Sequence, residues 1–174
     1  MPKDYIFRKA SPRDLSAFFP EFAKSLKSQF PEYSSKTKEF FVKREYCLEA
    51  LKSQLDNKEI VIYLAILASQ AVGFLIARYI CGGVCLCSWL AVAEGHRGKG
   101  LASQLLKMWQ NEAKKAGIHK LHLWTGKRNL DFYKKKGFTY VGKIPKNYYG
   151  ADDYLFYKVI QKPQEKNFLK NISL

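Results

Sequence analysis

The pattern of apolar and polar positions along the chain predicts both strands and helices. Residues 60–67 form an unbroken apolar run, which is typical of a buried strand, and two strand-like runs follow at residues 72–81 and 84–92. Apolar residues at helical spacing over residues 100–116 predict a helix directly after the third of these strands. Further along the chain, strands are predicted at residues 120–125, 138–143 and 154–160, and a short helix at residues 131–136.

The first 55 or so residues predict one strand and two helices. Residues 4–9 are rich in β-forming side chains, and Ser11 followed by Pro12 is typical of a helix start. We expect Pro20 to break or restart this first helix, although its apolar spacing continues beyond the proline. A longer second helix is predicted over residues 39–55.

The order of elements is therefore β-α-α-β-β-β-α-β-α-β-β, which predicts a mixed α/β fold. The 174 residues are the length of one domain. We assign residues 1–160 to this domain and residues 161–174, which are polar and basic, to a loose C-terminal tail.

Composition indicates a protein of the cytoplasm. Apolar residues make up 47% of the chain, enough for a substantial core, but no apolar run is long enough to cross a membrane. The first ten residues lack the apolar core of a signal peptide, and we expect the four cysteines to be free thiols. The histidines and cysteines are not spaced as metal ligands, so no metal site is expected.

The charge of the chain predicts an anionic partner. Thirty basic and 15 acidic residues give a formal net charge of +15. A nucleic acid or a ribosome would be such a partner, but the sequence contains no recognition motif for nucleic acids. We therefore rank a solubilising surface above nucleic-acid binding, without excluding the latter.

Residues 88–109 carry the clearest chemistry. A strand passes through a loop containing Gly98 and Gly100 and then into a helix. The first N–H groups of a helix lack internal partners and lie at the positive end of its dipole, and glycines let a ligand approach the backbone. With Arg97 and Lys99 beside it, the loop predicts a phosphate or pyrophosphate site.

Two motifs resemble those of a known family. The pattern Arg97-x-x-Gly100-x-Ala102 matches [QR]-x-x-G-x-[GA], the acetyl-coenzyme A signature of the GNAT superfamily of N-acetyltransferases. A dinucleotide fingerprint would need a third glycine where Ser103 stands, and a P-loop has a different spacing. Downstream, Asn129 and the run FYKKKGF at residues 132–138 resemble the second motif of the family. The resemblance covers roughly residues 60–157.

The resemblance implies the acyl-CoA N-acyltransferase fold of this family and acetyl-CoA as the cofactor. In that fold a mostly antiparallel sheet has flanking helices, and its fourth and fifth strands run parallel and splay apart to hold the pantetheine arm. Asn129 has an alternative role as a helix N-cap, and the lysines of the second motif have one as a solvated face. The implied cofactor-binding residues are Leu90, Ala91, Val92, Arg97, Gly98, Lys99, Gly100, Leu101, Ala102, Ser103, Asn129, Phe132, Tyr133 and Lys135.

The resemblance also implies two catalytic roles. Tyr133 matches the general-acid tyrosine of the family, and the backbone N–H of Leu90 matches its oxyanion donor. A phenol has a pKa near 10, which is close enough to that of a thiol for proton transfer. The general base stays open, because residues 84–88 contain no acid; the alternatives are His122 and a water relay, of which we favour the relay.

Residues 146–153 resemble the Tyr-Tyr segment of peptide Nα-acetyltransferases, including those that act on ribosomal proteins. We therefore expect the amine acceptor to contact Trp124, Tyr148 and Tyr149. The predicted activity is acetyl-CoA-dependent transfer to a primary amine, such as a peptide or protein N-terminus, in a ternary complex. The alternatives are an acetyltransferase for polyamines or aminoglycoside-like amines, and a basic RNA- or ribosome-associated binding module on the same fold. The chain is expected to be a monomer or a homodimer.

Overall fold

The structure is a computed structural model that describes residues 4–170. Its strands are β1 (Ile6–Lys9), β2 (Ile60–Leu67), β3 (Gln70–Tyr79), β4 (Val84–Val92), β5 (Lys120–Thr125), β6 (Thr139–Ile144) and β7 (Asp153–Val159). Its α-helices are α1 (Leu15–Gln29), α2 (Ser35–Phe40), α3 (Leu48–Asp56), α4 (Leu101–Lys115), α5 (Leu130–Lys135) and α6 (Glu165–Lys170). The predicted strands and the helices α4 and α5 are present, with ends that differ by one or two residues.

The strands form one sheet in the order β1-β2-β3-β4-β5-β7-β6. β4 and β5 are parallel, with Val84 opposite Lys120 and Cys87 opposite Leu123, whereas β7 is antiparallel to both β5 and β6. The parallel ladder ends at Cys87 although both strands continue beyond it. Helix α4 is the crossover that a parallel pair requires. The predicted mixed fold, mostly antiparallel with one parallel pair and flanking helices, is confirmed.

The chain divides into two compact units. Unit 1 contains residues 4–76 and 89–106, and unit 2 contains residues 77–88 and 107–170. Within unit 1, β1 pairs with β2 in antiparallel register, and α1 buries Phe18, Phe22 and Leu26 completely. The ring centroid of Phe18 lies 5.2 Å from that of Phe74. Because these apolar side chains recur every four residues, one face of α1 supplies much of the core of unit 1.

Pro20 does not break the first helix, contrary to our prediction. α1 runs without interruption from Leu15 to Gln29, after a 3₁₀ turn at Pro12–Asp14. A proline inside a helix costs about 3 kcal/mol. Phe18 and Phe22, which lie on either side of it, are both fully buried, and burying such a side chain contributes about 1.5–3 kcal/mol each. Burial in the core therefore outweighs the local cost of the proline.

The single helix predicted over residues 39–55 is also wrong. The chain forms α2, then a π-helical turn at Phe41–Glu45, and then α3. The Tyr46 N–H donates to the Phe41 carbonyl, five residues back, at 2.8 Å. The extra residue in this turn lets both rings pack on Trp89, with centroid distances of 5.4 Å for Phe41 and 5.6 Å for Tyr46. Tertiary packing, which a helical pattern does not encode, sets this break.

Unit 2 packs α4 and α5 on its part of the sheet. Its core contains Trp109, Leu121, Phe138 and Phe156, each at most 4% exposed. The Trp109 indole N–H donates to the Cys85 sulfur at 3.3 Å. α5 and the strand pair β6 and β7 follow directly after β5, so the second sequence motif lies entirely within this unit.

The segment after β7 contains α6, where we predicted a loose tail. The Phe168 ring lies 5.1 Å from the His119 ring. The Gln161 side chain donates to the carbonyls of Lys114 and Ile118, at 3.1 and 2.7 Å, which anchors the start of the segment. Residues 171–174 lie outside the described residues. Within residues 4–170, none of the helices combines the length and the apolar character needed to cross a bilayer.

Candidate functional site

The loop between β4 and α4 has the backbone geometry that its glycines predict. A 3₁₀ turn at Glu94–His96 leads into Arg97, and Gly98 and Gly100 have φ angles of +75° and +82°. A side chain at either glycine would meet no atom within 4 Å, so open space surrounds this backbone. The first helical bond is the one that the Gln104 N–H donates to the Gly100 carbonyl, which leaves the preceding amides at the open end of α4.

Two basic side chains hold this loop and add charge to it. Arg97 donates from Nε to the Val92 carbonyl at 3.3 Å, and Lys99 donates from Nζ to the Gly95 carbonyl at 3.2 Å. Both residues are exposed. Each therefore fixes the backbone with one N–H group and still presents a positive charge to an incoming anion.

Gln29, at the end of α1, is a residue that the sequence reasoning missed. Its Nε2 donates to the Val92 carbonyl at 3.2 Å, so this carbonyl accepts bonds from both Gln29 and Arg97. Gln29 also donates to the buried hydroxyl of Ser25 at 3.0 Å. No sequence signal marks a glutamine 63 positions away as the residue that ties α1 to the end of β4.

The N-terminal segment contacts the same loop. The Tyr5 hydroxyl lies 2.9 Å from Nδ1 of His96, and the two rings meet edge to face. Tyr5 was also missed, since a tyrosine beside the first strand has no local signature of a loop contact. It ties the chain before β1 to the turn that precedes Arg97.

Strand β4 presents its backbone groups to two different edges. The Ala93 N–H donates to the Val72 carbonyl at 2.9 Å, and the Ala91 carbonyl lies close to Gly73. Groups of alternate residues in a strand point to opposite edges, so Leu90 and Val92 direct their N–H and C=O groups away from β3. This orientation directs the Leu90 N–H away from β3, and its oxyanion role stays a prediction.

In unit 2, Tyr133 on α5 lies in an apolar setting and is only 6% exposed. The Phe132, Phe138 and Phe156 rings surround it, with centroids 5.0, 5.9 and 5.8 Å away. Burial, and then the charge of the neighbouring Cys87, raises the pKa of Tyr133 well above that of a free phenol. The hydroxyl therefore keeps its proton at every physiological pH, and its pKa lies further above that of a thiol than the free-phenol value near 10, on which the prediction of proton transfer rests.

Two polar side chains are associated with Tyr133. Thr125, at the end of β5, hydrogen-bonds to the Tyr133 hydroxyl, and this bond lowers the pKa of Tyr133 against the larger effect of burial. Asn129 donates from Nδ2 to Oγ1 of Thr125 at 2.9 Å. Asn129 occupies the N-cap position of α5, but its side chain makes no capping hydrogen bond. Thr125 was missed in the sequence, where it reads as the last residue of a strand.

The basic run on α5 is divided among different contacts. The Lys134 ammonium lies over the Tyr140 ring at 5.8 Å, and the Lys136 ammonium lies over the Phe132 ring at 5.7 Å. Lys135, our candidate for the 3′-phosphate of the cofactor, is exposed. The alternative of a fully solvated face therefore does not describe its two neighbours, which pack on aromatic rings.

The predicted acceptor residues of unit 2 lie on β5 and on the loop before β7. The Trp124 and Tyr148 rings meet edge to face with centroids 6.0 Å apart, and Tyr148 and Tyr149 are 59% and 51% exposed. Tyr149 has a φ angle of +55°, an uncommon conformation for a residue other than glycine. The indole nitrogen of Trp124 is buried, and no group within residues 4–170 accepts its hydrogen bond.

Charged side chains hold the same loop in place. Asp152 forms an ion pair with Lys143, and Asp153, which is 5% exposed, accepts a bond from the Asn147 amide at 2.9 Å.

On β5, burial and then the charge of Lys120 lower the pKa of His122. His122 is therefore neutral at pH 7 and can accept a proton.

Each unit thus brings together one part of the predicted site. Unit 1 holds Leu90, Ala91, Val92 and the loop from Arg97 to Ser103, and unit 2 holds Asn129, Phe132, Tyr133, Lys135, Trp124, Tyr148 and Tyr149.

Comparison with known proteins gives one family match and related structures. A family model described as "Acetyltransferase (GNAT) domain" matches residues 58–140. An uncharacterised N-acetyltransferase of Methanocaldococcus jannaschii is 26% identical, over 78% of this chain and 61% of the relative. The chain thus spans less than two thirds of the length of this curated relative.

Two solved structures illustrate the likeness in fold. The PaiA N-acetyltransferase of Thermoplasma acidophilum, solved in complex with coenzyme A, superimposes with a TM-score of 0.76 at 23% identity, over 89% of this chain and 98% of that one. The ribosomal-protein-S5-alanine acetyltransferase of Vibrio fischeri superimposes with a TM-score of 0.72 at 16% identity, over 92% of this chain and 96% of that one.

Proposed function

We propose that the chain is a member of the GNAT superfamily of N-acetyltransferases and that it transfers an acetyl group from acetyl-CoA to a primary amine. The observation that carries the proposal is the loop before α4. Its two glycines have positive φ angles, its backbone faces open space, and Arg97 and Lys99 flank it. This set of donors fits a diphosphate.

We assign the cofactor contacts as follows. The amides of Gly98, Lys99, Gly100, Leu101, Ala102 and Ser103 bind the diphosphate, with Arg97 adding charge. The Leu90 backbone and the Val92 N–H, which face away from β3, bind the pantetheine arm, whereas the Ala91 backbone faces β3 and takes no part. Lys135 binds the 3′-phosphate. Asn129 donates a hydrogen bond from Nδ2 to Thr125, and its side-chain carbonyl oxygen accepts a bond from a pantetheine N–H. Phe132 supports Tyr133 beside the arm.

When bound, acetyl-CoA supplies an activated acetyl thioester. The Leu90 N–H donates to the carbonyl oxygen of the acetyl group, where negative charge develops. Tyr133 holds a proton on its hydroxyl for the sulfur atom. The proton of the amine passes either to His122, which is neutral at pH 7, or to a chain of water molecules. We retain the water relay as the base, because His122 is only partly buried and water can reach this part of β5.

For the acceptor, we propose a peptide or protein N-terminus that contacts Trp124, Tyr148 and Tyr149. Tyr148 and Tyr149 are 59% and 51% exposed, so both are accessible to such an acceptor. Polycations are disfavoured by the net charge of +15, and Asp152 is already paired with Lys143.

Thermal unfolding with and without acetyl-CoA tests the cofactor. At about a hundred times its Kd, a ligand adds about 2.7 kcal/mol of stability, which should raise the Tm by roughly 5–10 °C. An unchanged Tm at millimolar acetyl-CoA would contradict the proposed activity.

A panel of acceptors tests the substrate class. We expect acetylation, measured by mass spectrometry, of a peptide with a free N-terminus and lysines blocked, and none of the same peptide with its N-terminus already acetylated. Spermidine and an aminoglycoside complete the panel. Faster acetylation of either of these would overturn the proposed acceptor while leaving the proposed cofactor intact.

Tyr133→Phe tests the general acid. We expect kcat to fall by about 10²–10⁴-fold, the usual contribution of a positioned acid or base, with little change in the affinity for coenzyme A. Equal turnover in this variant would remove Tyr133 from the mechanism.

A further inference from the structure

One carbonyl oxygen in unit 1 accepts hydrogen bonds from two side chains that are far apart in the sequence. The Val92 carbonyl, at the end of β4, accepts from Gln29 Nε2 at 3.2 Å and from Arg97 Nε at 3.3 Å. A carbonyl oxygen has two lone pairs, so these two bonds fill its capacity. The same oxygen thus joins the end of β4 to helix α1 and to the loop before α4.

The bond to Val92 sets how Arg97 presents its charge. A guanidinium group is planar and rigid, and the bond to the carbonyl uses the side of the group that carries Nε. Within residues 4–170, the Arg97 side chain donates to no other group, and it is exposed. The end of the group that carries both Nη atoms therefore stays available to two oxygens of an anion.

The side-chain amide of Gln29 is itself held in one orientation. A carbonyl oxygen can only accept, so the atom of Gln29 that faces Val92 is the amide nitrogen. This nitrogen also donates to the Ser25 hydroxyl at 3.0 Å, and the Ser25 hydroxyl donates to Glu21 Oε1 at 2.9 Å. Ser25 is fully buried. The amide therefore cannot turn without breaking a bond to a buried group.

These polar groups form a row along one face of α1. Glu21, Ser25 and Gln29 are spaced four residues apart, which places them above one another on a helix. A buried hydroxyl costs stability unless it is hydrogen-bonded, and the Ser25 hydroxyl both accepts and donates a bond. The row ends at the Val92 carbonyl, so α1 holds that carbonyl through a side chain whose own position is fixed.

We propose that Gln29 is a positioning residue for the cofactor. Gln29 fixes the Val92 carbonyl, this carbonyl fixes the guanidinium group of Arg97, and the two Nη groups are thereby held available to the diphosphate. In this role Gln29 contacts neither the cofactor nor the acceptor. The inference rests on the function proposed above, in which the loop before α4 binds the diphosphate of acetyl-CoA.

A bond that only stabilises the fold would behave differently. Its removal would lower the Tm, but it would not distinguish a ligand that carries a diphosphate from one that does not. Nor would its effect on affinity depend on whether Arg97 is present. These two differences separate positioning from stability alone.

Two substitutions of Gln29 separate the donor from the shape of the side chain. Gln29→Leu removes the donated bonds at similar volume. Gln29→Glu keeps the shape but replaces the amide donor by a carboxylate, which can pair with the Arg97 guanidinium and neutralise it. Gln54→Leu is the matched control, because Gln54, on α3 in the same unit, also donates from Nε2 to a backbone carbonyl at 3.2 Å.

Affinity is measured for ligands with and without a diphosphate. We expect Gln29→Leu to weaken the binding of coenzyme A and of dephospho-coenzyme A by about threefold to tenfold in calorimetry, the equivalent of one hydrogen bond. Pantetheine, which carries no phosphate, should bind the variant and the wild type equally in an NMR titration. Gln29→Glu should bind coenzyme A more weakly than Gln29→Leu does, and Gln54→Leu should stay within about twofold of wild type.

A double-mutant cycle tests whether Gln29 acts through Arg97. We expect Arg97→Met alone to weaken the binding of coenzyme A by about tenfold or more, since bonds from a charged group are lost. Adding Gln29→Leu to this variant should cause no further loss of affinity, because no guanidinium group is left to position. The drop in Tm that Gln29→Leu causes should persist in both backgrounds, since the bond between α1 and β4 is lost in each.

The proposal is overturned if coenzyme A binds Gln29→Leu or Gln29→Glu as tightly as the wild type, or if Gln29→Leu and Arg97→Met weaken its binding additively. An equal loss of affinity for pantetheine would also overturn it. In each of these cases a wild-type chain that binds coenzyme A would leave the proposed function intact, whereas failure of the wild-type chain to bind it would overturn both. If Gln29→Leu does not fold, Gln29→Met, which is unbranched like glutamine, takes its place and the same outcomes decide.

Discussion

The loop before α4 allows a test in which backbone strain is the only variable. Gly100 has a φ angle of +82°, whereas Gly95, in the same loop, has no positive φ angle. A methyl group at either position would meet no atom within 4 Å, so neither substitution by alanine causes a clash. A left-handed conformation costs a residue with a Cβ roughly 1–2 kcal/mol.

The pair Gly100→Ala and Gly95→Ala isolates this cost. Alanine also restricts the unfolded chain, which stabilises a protein by about 0.4–1 kcal/mol, but this effect is common to both variants and cancels in their difference. We therefore expect Gly100→Ala to be less stable than Gly95→Ala by about 1–2 kcal/mol. For a chain of this length, that corresponds to roughly 2–8 °C in Tm.

The same pair tests the role of the loop in binding. If the free variant relaxes to avoid the strain, the cost appears on binding, and the affinity for coenzyme A falls by up to about 30-fold. Thermal unfolding and titration calorimetry together capture both cases. The reasoning is refuted if Gly100→Ala equals Gly95→Ala in Tm and in affinity.

Further predictions concern the rest of the molecule. Gly82 and Gly83 both have positive φ angles, but a Cβ at Gly83 would lie 2.4 Å from a ring carbon of Phe168 in α6, whereas one at Gly82 would meet no atom within 4 Å. Gly83→Ala should therefore lower the Tm more than Gly82→Ala. Equal Tm values for the two variants would contradict the packing of α6. Burial raises the pKa of Cys85 to about 11, so iodoacetamide at pH 8 should label the exposed Cys81 and spare Cys85, as peptide mapping will show. The hydrogen bonds that Arg8 donates lower the pKa of Asp14. The stability that Asp14→Asn removes should therefore be present above about pH 4 and lost as the pH falls further, in thermal melts across that range. A stability difference that does not change with pH would contradict this.

The sequence alone determined where the strands lie along the chain, the helices α4 and α5, and the character of the loop between β4 and α4. These features depend on neighbouring residues. An apolar run such as Ile60–Leu67 specifies a strand through its own burial, and glycines at positions 98 and 100 permit positive φ angles wherever the loop lies. The family motifs are likewise short and continuous.

Only the tertiary structure decided where distant residues meet. Trp89 draws Phe41 and Tyr46 into one cluster and so splits the second helix, and the buried faces on either side of Pro20 keep the first helix whole. Gln29 reaches the end of β4 across 63 positions. The physical reason is that a local pattern states which residues avoid water, whereas the partner that each finds, and the direction of each hydrogen bond, depend on how the whole chain packs.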